Sequence, residues 1–411
     1  MLNIRLEGNA IIGQSGGPTA AINATLSGVI REAMKIPEIK EIYGAKHGID
    51  GILNENFVNL REKLTQEEDF FTLECTPAAA LGSCRHRLPP IDEYDYYDKI
   101  FDILKKNNIR YIFLIGGNDS MDTVAKLSKY AATTDYDIRI IGVPKTIDND
   151  LEYTDHTPGF GSAAKYVATA VSEIERDCSV YVVPAVTIVE IMGRDAGWLT
   201  AASAIPRLYG QGTADLVYLP EVPFDYDYFI DDIIELQKTK PNVVVAVSEG
   251  IKDEDGRYVG DGTQSGMVDN FGHKYLAGAG KILENYVRRR IGCKVRSIEL
   301  SLPQRCSGHI LSKCDIEESV LIGSAAVSEA VNGNSGILPI FKRKNTENYA
   351  VEIETVPVEA VANKIKRVDK KYITERANNV TDELLHYLAP LIEGEIDIPK
   401  THGVPKHFII K

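Results

Sequence analysis

The chain has no apolar stretch long enough to span a bilayer, so no membrane-spanning helix is expected. Basic charge is also short: 46 Lys and Arg stand against 59 Asp and Glu, giving a net charge of −13. A chain this acidic is a poor partner for nucleic acid or for an anionic membrane surface. Cysteine is scarce and scattered. The six (Cys75, Cys84, Cys178, Cys293, Cys306, Cys314) form no C-x-x-C pair and no metal-ligand spacing with histidine. That argues for reduced thiols rather than a disulfide frame. Residues 1–10 lack the profile of a secretory signal, so a cytoplasmic protein is the expectation. There is no repeat of short period and no low-complexity segment. The remaining composition, 44% hydrophobic and 26% charged over 411 residues, is that of a globular protein of two or three domains.

What is present is a series of short apolar runs, each ending in chemistry-bearing residues. Ile140 to Val143 delivers Lys145, Thr146, Asp148 and Asp150 in the stretch Pro-Lys-Thr-Ile-Asp-Asn-Asp. A cation for phosphate beside carboxylates for a hydroxyl proton or a metal is the equipment of phosphoryl transfer. About thirty residues upstream, Tyr111 to Ile115 leads into Gly116-Gly117-Asn118-Asp119-Ser120. A helical pattern with Met121, Val124, Ala125 and Ser128 on one face follows. The glycines let backbone approach a ligand, and the N–H groups that open such a helix form an anion site. A third unit runs from Ala10-Ile11-Ile12 through Gly13-Gln14-Ser15-Gly16-Gly17-Pro18-Thr19 into a helix with Ile22, Leu26, Val29, Ile30 and Ala33. It lacks the Gly-Lys-Ser/Thr close of a Walker loop and fits the dinucleotide fingerprint poorly. It reads as a phosphate loop of another lineage or as a plain strand-to-helix turn.

Further runs at Val182–Ile191, Ala214–Leu219, Val243–Val247 and Val295–Leu300 read as strands. Helical patterns cover Ala163–Ile174, Tyr275–Arg289 and Ile316–Val331. Strands alternating with helices predict doubly wound α/β layers with mostly parallel sheets. Ligands then bind outside the carboxyl ends of the strands. Arg288-Arg289-Arg290 ends a helical pattern, where cations complement the helix dipole.

Taken in order, the motifs resemble those of the 6-phosphofructokinase family, and more narrowly its pyrophosphate-dependent branch. They are Ser15-Gly16-Gly17, Leu81-Gly82-Ser83-Cys84-Arg85, Gly116 to Ser120, Pro144 to Asp150, Glu190-Ile191-Met192-Gly193-Arg194, Pro220-Glu221-Val222-Pro223, Ser248-Glu249-Gly250 and Gln304-Arg305. They span about three quarters of the chain. The resemblance implies two Rossmann-like three-layer α/β domains with the active site in the cleft between them. The first takes residues 1–160 with a return segment at about 310–335 and binds the donor. The second takes 161–309 and binds the sugar phosphate. Residues 336–411 form a C-terminal extension packing on the core.

The resemblance also implies roles. Asp148 is the general base toward the 1-hydroxyl of fructose 6-phosphate, and Asp150 supports it or joins the metal shell. Lys145 and Arg85 act on the transferring phosphate. Gly16, Gly17, Asp119, Ser120 and Lys145 bind pyrophosphate. Thr146, Met192, Gly193, Arg194, Glu249 and Arg305 complete the sugar-phosphate site; His309, where the chain departs from the ATP-dependent branch, is either a replacement phosphate cation or a structural or solvated loop histidine. Mg²⁺ is the implied cofactor, held by Asn118 and Asp119. Asn118 departs from the family's commoner Asp, and a neutral amide is a weaker ligand for a hard cation. Asp119 stands where ATP-dependent relatives carry a glycine. Its bulk and charge would reject a nucleotide, and Lys145 supplies a compact cation for pyrophosphate. The expected reaction is Mg-dependent and reversible, serving glycolysis and its reversal in a homodimer or homotetramer. An ATP-dependent enzyme, a different sugar phosphate such as sedoheptulose 7-phosphate, and a non-catalytic subunit of the same fold are the alternatives.

Overall fold

The computed structural model describes residues 5–260 and 278–410. Eleven strands build its two main sheets: β1 (Gly8–Gln14), β2 (Ile39–Ala45), β3 (Phe57–Asn59), β4 (Ile109–Gly116), β5 (Arg139–Pro144), β6 (Ala185–Ile191), β7 (Leu216–Tyr218), β8 (Asn242–Ser248), β9 (Lys294–Glu299), β10 (Ile337–Arg343) and β11 (Val351–Pro357). The first sheet has the order β11-β10-β5-β4-β1-β2-β3. Its central pairings are parallel, and the outer strands β3 and β11 run antiparallel to their neighbours. The second has the order β7-β8-β6-β9 and is parallel throughout.

The apolar runs form strands because both faces of each sheet are covered by helices, as parallel strands require. Along β1, Ala10 and Ile12 face one side and pack with Ile22, Leu26, Val29 and Ile30 of the helix Ile22–Met34. Ile11 faces the other side, with Ile112 and Leu114 of β4 and with the helices Tyr94–Lys106 and Asn118–Ala131. Each such side chain, fully withdrawn from water, contributes about 1.5–3 kcal/mol. The second sheet is sandwiched in the same way between the helix Phe160–Cys178 and the helices Tyr226–Gln237 and Ala279–Arg290.

Several sequence-based bounds shift. Strand β6 begins at Ala185, not Val182, and Val180 to Val183 stand exposed before it, Val182 by 87%. The helix expected from Tyr275 is described from Ala279, and residues 275–277 lie outside the described residues. The segment expected to form a C-terminal extension divides between the two bodies. Strands β10 and β11 extend the first sheet. Val368, Val380, Leu384, Leu385, Leu388 and Leu391 join the core of the second. The helix Lys313–Val331 returns to the first body, where Ile322, Ala326 and Val327 pack beside Leu26 and Val29. No described helix is long and apolar enough to cross a membrane.

In the first sheet, β1 leads outward to β2 on one side, while β4 and β5 extend on the other. The strand order therefore reverses beside β1, and a crevice opens at the carboxyl ends there. Gln14, Gly116 and Pro144 end the three strands that meet it.

Candidate active site

At that crevice lies a cleft of about 620 Å³, a size typical of small-molecule sites. Its first bank is made by the loops that leave β1, β4 and β5. Lys145 follows β5 directly and is buried, with its N–H bonded to Gly116 O at 3.0 Å. Its ammonium donates to Gly17 O at 2.6 Å. A methyl group on Gly16 would stand 3.4 Å from Lys145 Nζ, and one on Gly17 would stand 3.4 Å from Arg305 Nη1. The glycine loop thus lies against both cations. Burial pushes the Lys145 ammonium down to about 8, against the pull of Asp148 and Asp150. The helix Asn118–Ala131 points its N-terminus into the cleft, and Gly117, Asn118, Asp119 and Ser120 line it. Ser120 Oγ shares a short hydrogen bond with Ser15 Oγ, tying this turn to the first loop.

The acidic loop closes that bank. Thr146 is held at both backbone groups: its N–H donates to Pro158 O at 3.2 Å, and its carbonyl accepts from Thr157 Oγ1 at 2.8 Å. Its hydroxyl oxygen accepts from the Asp148 N–H at 3.1 Å. Asn149, between the two carboxylates, adopts φ 53°, a conformation asparagine tolerates better than most residues. Burial raises the Asp148 carboxyl, while Arg194 and Lys145 pull it down. Burial and then the Asp148 charge raise Asp150 to about 7.

The second bank comes from the carboxyl ends of β6 and β8. Met192, Arg194, Asp195 and Ala196 line the cleft on the turn after β6, and Glu249 follows β8. Gly193 has φ 139°, and a Cβ there would meet Ala196 O at 2.6 Å, so the turn requires glycine. The Gly193 carbonyl accepts from Ser248 Oγ. Burial, then the Asp148 charge, raises Glu249 to about 8. Gln304 Oε1 accepts from the Met192 N–H at 3.1 Å. That bond ties the segment carrying Leu302 and Arg305 to the same turn. Arg194 Nε is buried without a hydrogen-bond partner, an open demand for an acceptor.

Arg85, Lys145, Arg194 and Arg305 line this space together with Asp119, Asp148, Asp150, Asp195 and Glu249. Because Glu249 is raised to about 8 and holds its proton near neutrality, the cleft is more cationic than its residue count suggests. It can therefore receive anions against the field of an acidic chain. Behind Asp119 and Ser120, between Ile49, Cys84, His86 and Thr123, only about 10 Å³ is open, roughly the room of a single water. His86 is braced there between Asp50 at 2.7 Å and the Tyr96 hydroxyl at 2.6 Å.

A divalent cation fits the first bank. Asn118 Oδ1 is buried with no hydrogen-bond partner, while its Nδ2 donates to Asp150 Oδ2 at 3.3 Å. Among the described residues no group of three His, Cys, Asp or Glu forms a ready cage. Mg²⁺ needs none, since it takes one or two protein oxygens and completes its shell with phosphate and water.

Of the site residues expected from the sequence, His309 is the exception in position. It is exposed on the loop after the short helix Pro303–Cys306 and does not line the cleft. Gly193 lies behind the lining and is hydrogen-bonded to Ser248. Residues missed from the sequence are Asp195, beside Arg194, and a strap from Asn363 to Val368, of which Asn363 and Ile365 line the cleft. Asp195 could have been read from its place in the Met-Gly-Arg turn. The strap has no local signature.

The sequence profile of the family described as Phosphofructokinase matches residues 9–328. A pyrophosphate–fructose 6-phosphate 1-phosphotransferase of Halomonas elongata is 38% identical over 405 residues, covering 97% of this chain and 95% of that protein. A sulfofructose kinase of Alkalicoccus urumqiensis is 31% identical and covers 94% of this chain and 95% of its own. The crystal structure of a pyrophosphate-dependent phosphofructokinase from Nitrosospira multiformis superposes with a TM-score of 0.88 at 34% identity, over 97% of this chain and 95% of that one.

Proposed function

Because the chain belongs to the phosphofructokinase family, we propose a residue-level account of the reaction that its close relatives are named for. The chain is a phosphotransferase acting on an alcohol group. It transfers a phosphoryl group from pyrophosphate to the 1-hydroxyl of fructose 6-phosphate, reversibly, giving fructose 1,6-bisphosphate and phosphate. The observation that carries the donor assignment is the compact, cationic first bank. The Lys145 ammonium lies on Gly17 O against the Gly16-Gly17 loop, and Asp119 opens the helix beside it. Two phosphates match that cation and loop, and the Asp119 carboxylate opposes the further phosphate of a nucleotide by like charge.

In the proposed step, the C1 oxygen attacks the terminal phosphorus of pyrophosphate, and the bond from that phosphorus to the bridging oxygen breaks. Asp148 takes the hydroxyl proton, and the remaining phosphate leaves. Asp148 is suited to the task because burial raises its proton affinity, and a base is most effective with a pKa near the working pH. Lys145 and Arg85 bear the charge on the transferring phosphate. Arg194 and Arg305 fork onto the sugar phosphate, Glu249 accepts from sugar hydroxyls, and the Met192-Gly193 turn walls the ring. Asn118 Oδ1, with Asp119 and Asp150 nearby, would hold Mg²⁺, which when bound supplies charge neutralisation between the phosphates. A cytoplasmic homo-oligomer completes the reading. The exposed Val180–Val183 run supports a contact between subunits, and light scattering tests it.

The test is fructose 1,6-bisphosphate formation by purified protein with Mg²⁺, comparing pyrophosphate with ATP. Turnover with pyrophosphate alone is expected, and turnover with ATP alone would overturn the donor assignment. The relative named sulfofructose kinase makes the acceptor worth varying in the same assay.

A further inference from the structure

The strap after the first sheet lines one side of the cleft and bonds to both bodies. Asn363 Nδ2 donates to Asp122 Oδ1 at 3.3 Å on the helix that opens with Asn118. The Lys366 N–H donates to Asp150 O at 2.8 Å, and its carbonyl accepts from Trp198 Nε1 at 2.9 Å in the second body. Arg367 Nε reaches Asp195 O at 3.2 Å. The Val368 N–H donates to Glu221 Oε1 at 2.9 Å, and the same oxygen accepts from Gly197 at 2.8 Å. The Pro-Glu-Val-Pro motif thus finds its use as the strap's anchor.

Lys366 is half-buried as a residue, but its ammonium points inward. Nζ lies 2.7 Å from Asp155 O, 3.0 Å from Thr154 O and 3.4 Å from Asn149 Oδ1, and 5.1 Å over the Trp198 ring. Asn149 is the residue of positive φ between the two carboxylates, and the Thr154 and Asp155 carbonyls belong to the turn that follows them. Three donors on one cation thus meet three oxygens of a single loop. We propose that Lys366 is a positioning residue that holds the Asp148-Asn149-Asp150 loop in its working conformation without touching substrate. A charged donor suits this better than a neutral one, because charge-assisted bonds are roughly twice as strong. It also explains why a cation occupies a site with no hydrogen-bonded carboxylate.

The inference rests on Asp148 being the base, and the experiment separates the two. Lys366→Met keeps the stem and removes the charge. Its kcat should fall about 100-fold, as for an ångström-scale misplacement of a catalytic group, with KM for either substrate moving less than about threefold. Asn149→Gly keeps the left-handed backbone and removes one acceptor, and it should lower kcat about tenfold. Both act through one contact, so the double variant should fall no further than Lys366→Met alone. Lys366→Arg should recover about tenfold or more of the loss. Wild-type kcat in Lys366→Met, a loss carried by KM, no recovery in a folded Lys366→Arg, or a double loss equal to the product of the singles would overturn the proposal. If Lys366→Met melts or loses its circular dichroism, Lys366→Gln replaces it in the cycle under the same criteria. Activity retained by Asp148→Ala would instead remove the base assignment. An inactive Asp148→Ala beside a fully active Lys366→Met would remove this inference alone.

Discussion

The two banks of the cleft are built on different terms. The donor bank grows from the ends of three adjacent strands, and its groups are already engaged: Lys145 on Gly17 O, Ser120 on Ser15, Asn118 Nδ2 on Asp150. The sugar bank grows from one turn after β6, one residue after β8 and a segment tied on by Gln304, and it leaves Arg194 Nε buried and unpartnered. The first bank is organised largely by the protein for itself and leaves one open acceptor, Asn118 Oδ1, suited to a cation, while the second leaves an open donor for an anionic ligand. Preorganised groups stabilise a transition state without rearranging, whereas unmet ones gain most from binding. The donor bank should therefore answer mutation in kcat, and the sugar bank in KM.

The largest expected effect tests the first half of that contrast. Asp148→Ala should lower kcat by about 10² to 10⁴, the range for a lost general base, with KM for pyrophosphate little changed. A loss mainly in KM would break the comparison. Next, Arg194→Ala should raise KM for fructose 6-phosphate by about 10- to 100-fold, the worth of one charged hydrogen bond, and leave KM for pyrophosphate alone. Equal rises in both constants would show that the banks are not separable.

The pH profile sharpens the donor bank. Asp150 sits near 7, raised by burial, so the acidic loop gains protons and activity is lost as pH falls through about 7. Lys145 sits near 8, lowered by burial, so its charge and activity are lost as pH rises through about 8. A bell in kcat/KM for pyrophosphate with its top between these values is expected. A profile level across them would contradict the assignment.

Smaller still is the gain from Asp119→Gly. It removes bulk and charge but leaves the narrow space behind, walled by His86. ATP should stay about tenfold or more below pyrophosphate in kcat/KM, and parity would show that Asp119 alone bars the nucleotide. The smallest effect belongs to His309→Ala, which changes an exposed side chain outside the cleft and should leave both constants within about twofold.

Much of the fold and of the cleft is legible in the amino-acid sequence. The runs that become β1, β4, β5, β6 and β8 are continuous and apolar because strands covered on both faces must be, and each ends in the residues that form the cleft. Local order thus determined the alternating α/β class, the glycine loop, the Thr-Ile-Asp-Asn-Asp loop and the Met-Gly-Arg turn. His309 lies exposed outside the cleft although it is near Arg305 in sequence, because closeness in sequence does not set the direction of a loop. Tertiary structure alone decided the rest. Nothing near Asn363 to Val368 marks it as part of a site, and β10 and β11 carry no sign of which sheet they join. Whether Lys366 lies in solvent or beneath Asn149 depends on contacts some two hundred residues apart. Periodicity and turn chemistry report how a segment meets its own neighbours, while long-range packing sets which segment lies across which.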